Sequence, residues 1–97
     1  MADERLFIVT YDIADQRRWR RVFRTLNGYG EWLQLSVFQC RLTSRRRAEL
    51  ETKLRELIKA GDDHVLLIDV GPAGGITVAV ASIGKTFAVI ERHATVI

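Results

Sequence analysis

The sequence predicts an α+β sandwich in the order strand, helix, strand, strand, helix, strand. Three observations predict it. Short β-branched and aromatic runs such as "LFIVTY" read as strands. Between them lie two arginine-rich segments whose apolar residues recur at helical spacing. Glycines and small polar residues mark the joins. The chain has 97 residues and 47% hydrophobic content, so a single folded domain is expected over 1–97.

Each element has its own signal. "LFIVTY" is apolar on both faces, as a central strand should be. The first helix opens at Asp15, a good N-cap, and Trp19, Val22, Phe23 and Leu26 fall at i, i+3, i+4 and i+7. Gly28 or Gly30 can end it in a left-handed turn. "EWLQLSVFQCRL" is long for one strand and polar near its middle. It reads as two short strands with a tight connection or bulge near Leu35 and Ser36. The second helix opens at Thr43 or Ser44, carries Leu50, Leu54, Leu57 and Ile58, and stops at Gly61. "DHVLLIDVG" is the next strand, "GPAGG" a turn, and "ITVAVASIG" a fifth strand. The tail "KTFAVIERHATVI" can add another short strand. The first six elements make the split βαβ, ferredoxin-like plan over about residues 5–71. The extra strand and tail, 76–97, exceed what that sheet needs and are expected at a dimer interface.

Composition narrows the function classes. No apolar run approaches the roughly 20 residues that span a bilayer. The start "MADERLF" lacks the apolar core of a secretory signal. One cysteine, Cys40, cannot form an internal disulfide, so a reduced, cytoplasmic setting is the simplest expectation. Net charge is +3, but its placement matters more than its sum. Nine of the twelve arginines lie in two groups, Arg17, Arg18, Arg20, Arg21 and Arg24, then Arg41, Arg45, Arg46 and Arg47. Arginine outnumbers lysine 12 to 3, and guanidinium forks suit phosphate oxygens. Solvated helix faces and a nucleic-acid surface both fit those groups.

The sequence "YDIADQRRWRRV", followed by "LNGYGEWLQLSVFQCRL", resembles the CRISPR-associated protein 2 family. Tyr11, Asp12, Ile13, Asp15, Arg18, Val22, Leu26, Gly30, Gln34, Ser36, Val37 and Phe38 stand at matching places, and the likeness covers about residues 5 to 71. The C-terminal tail departs from the pattern. The resemblance implies a prokaryotic, cytoplasmic homodimer of ferredoxin-like subunits that serves antiviral defence. It implies spacer acquisition, with the protein bridging dimers of the CRISPR integrase (CRISPR-associated protein 1) across duplex DNA. It also implies a magnesium-dependent endonuclease acting on duplex DNA or single-stranded RNA, with manganese as an alternative ion. In that picture Asp12 lies near the dimer axis and holds the metal with its symmetry mate.

The residues alone favour a simpler role for Asp12, a carboxylate placed at a helix start. The resemblance reverses that preference and makes Asp12 the catalytic and metal-binding candidate. Magnesium needs about six oxygens, so one carboxylate requires its mate and phosphate oxygens as well. Asp15 is a cap. Tyr11 and Ser36 are candidate phosphate contacts, with packing and backbone bonding as their alternatives. Trp32 is a candidate interface marker. His64 and His93 have no partners at ligand spacing and are read as structural, Cys40 lacks a recognisable catalytic setting, and Asp62 and Asp63 read as a turn. Three functions follow: a metal-dependent phosphodiesterase, a non-catalytic DNA-bridging subunit, and a toxin-like ribonuclease of the same fold.

Overall fold

A computed structural model describes residues 3–84. Its elements are β1 (Arg5–Asp12), α1 (Gln16–Asn27), β2 (Gly30–Gln34), β3 (Val37–Leu42), α2 (Ser44–Leu57) and β4 (His64–Pro72). The strands form one sheet in the order β2-β3-β1-β4, with every neighbouring pair antiparallel. This is the ferredoxin-like arrangement, with both helices on one face.

Strand alternation explains which face they cover. Phe7, Val9 and Tyr11 of β1 and Phe38, Cys40 and Leu42 of β3 point toward the helices and are buried. Val22, Phe23 and Leu26 of α1 and Leu50 and Leu54 of α2 meet them. Truncating a core ring such as Phe38, which is 0% exposed, to alanine would cost about 3–5 kcal/mol.

The joins differ in detail from their sequence signals. Asp15 caps α1 by accepting from the Arg18 amide at 3.0 Å, and Thr43 caps α2 from the Arg46 amide at 3.1 Å. Gly28 follows α1 with φ −83°, so the helix does not end in a left-handed turn. Gly30 matters for another reason: a Cβ there would lie 2.3 Å from the Gln39 carbonyl oxygen. The tight β2–β3 turn falls at Leu35 and Ser36, and Leu35 adopts φ 34°. Helix α2 ends before Gly61, with Ile58 as its extended C-cap.

The expected fifth strand over "ITVAVASIG" is not formed. The chain leaves β4 through Gly71 at φ 118° and Gly75 at φ 78°, and residues 76–84 carry no strand pairing. A strand exists only by pairing, and no neighbouring strand among the described residues takes the segment up. The expected tail strand lies outside the described residues.

No helix covers the second sheet face, and it is most open along β4. Val65 and Leu67 of β4 pack against the core, so the alternate residues Leu66 and Ile68 point away from it, 50% and 46% exposed. Val70 is exposed as well.

Candidate nucleic-acid interface and carboxylate corner

Three aspartates lie at the end of β1, at the cap of α1 and just before β4, and each has a different environment. Asp15 is spent as the α1 cap, and its hydrogen bond from the Arg18 amide, aided by the charges of Arg18 and Arg17, lowers its pKa. Asp63 is buried, with its side chain fully enclosed. Its Oδ2 accepts from Arg18 Nε at 2.7 Å and from the Lys59 amide at 2.9 Å. Its Oδ1 accepts from Arg18 Nη2 at 3.2 Å and from the Ala14 amide at 2.9 Å. Four donors, the Arg18 guanidinium foremost, hold this carboxyl well below the usual range against the opposing effect of desolvation. Asp63 therefore ties the loop after β1 to the loop before β4.

Asp12 has neither job. It is exposed at the end of β1, three residues ahead of the cap. Its side chain makes no hydrogen bond or ion pair among the described residues. Its cross-strand partner is His64, so the two side chains leave the same, helix-free face of the sheet. Among the described residues no group of three His, Cys, Asp or Glu gathers. The described part of one chain thus does not supply the oxygen set magnesium requires.

The β2–β3 turn is fastened to this corner. The Tyr11 amide donates to the Ser36 carbonyl at 3.2 Å, and the Tyr11 hydroxyl reaches the Leu35 carbonyl at 3.4 Å. The Trp19 indole donates to Ser36 Oγ at 3.2 Å, and the Trp32 indole to the Leu35 carbonyl at 3.0 Å. Burial raises the Tyr11 pKa, partly offset by the Ser36 hydroxyl. Tyr11 and Ser36 thus have protein partners here, and the Ser36 hydroxyl is engaged by the Trp19 side chain in a turn rather than by strand backbone.

The nine arginines do not form one surface. Arg17, Arg20, Arg21 and Arg24 are exposed on α1, a helix without an acidic residue, and line a shallow furrow. Arg18 is turned inward to Asp63. Arg41 projects from the helix-free face and donates to the Ala73 carbonyl at 3.2 Å and to that of Ile76. It pins the turn after β4. On α2, Arg47 pairs with Glu51 at 3.0 Å, and Arg46 lies 4.3 Å over the Tyr29 ring. Arg45 is exposed. Sequence reasoning missed Asp63 and the inward turn of Arg18, which no local spacing announces.

A family model described as CRISPR associated protein Cas2 matches residues 5–73. The chain belongs to that family. It is 52% identical over 94 residues to the CRISPR-associated endoribonuclease Cas2 1 of Rhodospirillum rubrum, across 97% of this chain and 92% of that one. It is equally similar, at 52%, to the CRISPR-associated endoribonuclease Cas2 of Geobacter sulfurreducens, across 97% of this chain and 99% of that protein. A solved structure described as cas2 superposes with a TM-score of 0.71 at 32% identity, covering 88% of this chain and 94% of the other. A hypothetical protein TT1823 from Thermus thermophilus gives 0.72 at 34%, covering 88% and 99%. The near-complete coverage of the Cas2 relatives extends past β4, into the region where the tail was expected to depart. No helix among the described residues is long and apolar enough to cross a membrane.

Proposed function

We propose that this Cas2-family chain is a metal-dependent endonuclease that works as a two-fold dimer, with Asp12 as the catalytic carboxylate. The observation that carries the reading is the division of labour among the three aspartates. Asp15 caps the helix and Asp63 holds the loops, which leaves Asp12 exposed and unengaged on the bare sheet face. That face offers exposed Leu66 and Ile68 to a second copy. Facing copies would bring two Asp12 carboxylates together, and with phosphate oxygens these would hold magnesium or manganese. When bound, such an ion activates water and stabilises the leaving oxygen. The chain's own contribution is a carboxylate free of internal partners, on a strand end braced by the Asp63 loop bonds, beside an acid-free basic helix that attracts phosphate. The endoribonuclease names of the relatives support single-stranded RNA as a substrate, with duplex DNA as the alternative.

The exposed arginines of α1 favour a second role, holding the backbone of duplex DNA with the CRISPR integrase during spacer acquisition. The test is Asp12→Asn, which keeps shape and removes charge. Cleavage of RNA and duplex DNA is followed with magnesium and with chelator. Groups that merely steady a metal ligand are worth roughly tenfold to a hundredfold, so losing the ligand should cost at least that. Unchanged cleavage by the variant removes Asp12 from catalysis. If neither protein cuts but both bind duplex DNA and the integrase, bridging is the function.

A further inference from the structure

Where α1 meets the β2 edge, the surface opens into a groove of about 470 Å³ lined by Trp19, Arg20, Phe23, Arg24 and Trp32. Its rings form a corner. Trp19 and Phe23 stack at 5.5 Å and 12°, and Trp32 stands nearly upright to Phe23 at 5.6 Å and 82°. Phe23 is 6% exposed and forms the floor, so the half-buried indoles of Trp19 and Trp32 offer the open ring surface. The indole N–H groups are both turned to the β2–β3 turn, so each ring is held in one orientation. Trp32 pairs with Phe38 across β2 and β3, which puts the groove on the helix side of the β2 edge. It stays open when a second copy covers the bare sheet face near β4.

The rim supplies the charge. Arg20 and Arg24 border the aromatic groove and also the neighbouring furrow that they share with Arg17 and Arg21. Among the described residues, Arg20, Arg21 and Arg24 make no ion pair. Fixed aromatic rings next to uncompensated guanidinium groups fit a ligand that is flat, aromatic and anionic at once. An apolar peptide would leave the arginines without partners, and duplex DNA keeps its bases stacked inside.

We propose that this groove is a stacking site for an unpaired nucleobase, with the adjoining arginine furrow holding the phosphates of the same single strand. The proposal rests on the nucleic-acid reading above and adds to it the place where an unpaired base of the strand is held. Aromatic stacking works on any base, so the site tolerates sequence.

The chain has two tryptophans, and both line this groove, so its intrinsic fluorescence reports on the site directly. The native protein is titrated with oligouridylate and with a duplex of equal length, while binding is followed separately by anisotropy of a labelled strand. Saturable quenching by the single strand, with little by the duplex at equal occupancy, is expected. Trp32→Leu should weaken single-strand binding by roughly fivefold to a hundredfold and leave duplex binding unchanged, and Trp32→Phe should restore most of it. Single-strand binding without quenching, or equal quenching by both forms, overturns the groove and leaves nucleic-acid binding intact. No binding of either form by anisotropy overturns both readings. The native titration decides even where Trp32→Leu fails to fold.

Discussion

Arg18 and Asp63 illustrate how one buried contact reassigns two residues. The guanidinium forks onto the carboxylate at 2.7 and 3.2 Å, and the same carboxylate takes the Ala14 and Lys59 amides. Asp63→Asn keeps the enclosed side chain but removes its charge, and leaves the part-buried Arg18 guanidinium, 23% exposed, without its partner. The variant should melt at a clearly lower temperature while keeping its fold. The pH dependence follows from the sign of the shift. The carboxyl is held below its ordinary 3.8, so its stabilisation is complete above that value and is lost as pH falls toward the lower folded value. Acid melts should therefore show the native protein losing its advantage over Asp63→Asn below about pH 4. A constant gap across that range would mean the pair does not couple to folding.

At the scale of the element, α1 serves two masters. Its inner stripe of Val22, Phe23 and Leu26 fixes it on the sheet, and its outer face keeps Arg17, Arg20, Arg21 and Arg24 in solvent. Position along the helix decides which arginine can reach a phosphate. Replacing Arg17 and Arg21 by glutamine should lower the slope of log affinity for duplex DNA against log salt by roughly 0.9 for each phosphate that is no longer neutralised. Arg18→Gln should instead lower the melting temperature and leave that slope nearly unchanged. Salt titrations of the three proteins check this, and a slope change confined to Arg18→Gln would move the binding surface away from the furrow. Helix α2 is less free to act this way, because Glu51 lies between Arg47 and Arg55, at 3.0 and 3.6 Å.

For the whole molecule, the governing feature is a sheet whose second face is covered by no helix and leaves Leu66 and Ile68 of β4 exposed, although Leu6 at the other end of β1 is buried on that side. A chain this short buries a modest fraction of its surface, and a bare sheet face with exposed leucine and isoleucine is a surface looking for a partner. Light scattering at micromolar concentration should find a dimer. Introducing Leu66→Asp with Ile68→Asp should give monomers, since stable pairs of this class bury roughly 800 Å² on each side and tolerate no unpaired charge at the centre. A mutant that remains dimeric would place the contact elsewhere. Arg41 holds the chain after β4 against this same side of the sheet through the Ala73 and Ile76 carbonyls.

The local signals of the sequence determined most of the fold. Short runs of β-branched and aromatic residues located β1 and β4, and the 3.6-residue apolar period located both helices. Asp15 and Thr43 marked the helix starts, and the polar break at Leu35 and Ser36 divided β2 from β3. These features act within a few residues, where side-chain period and capping chemistry suffice. Asp12 was legible as the candidate carboxylate through its family-like motif. Local capping already set Asp15 apart, but what distinguished Asp12 from Asp63 was decided by the tertiary structure, because Asp63 is engaged by partners brought from elsewhere. Arg18 and Asp63 lie 45 residues apart, and no spacing rule links them. The same holds for the corner of Trp19, Phe23 and Trp32, which needs α1 and β2 packed side by side. The apolar run at 76–84 shows the converse limit. Its composition favours a strand, but a strand forms only where a sheet edge accepts it, and the described part of one chain does not provide that edge.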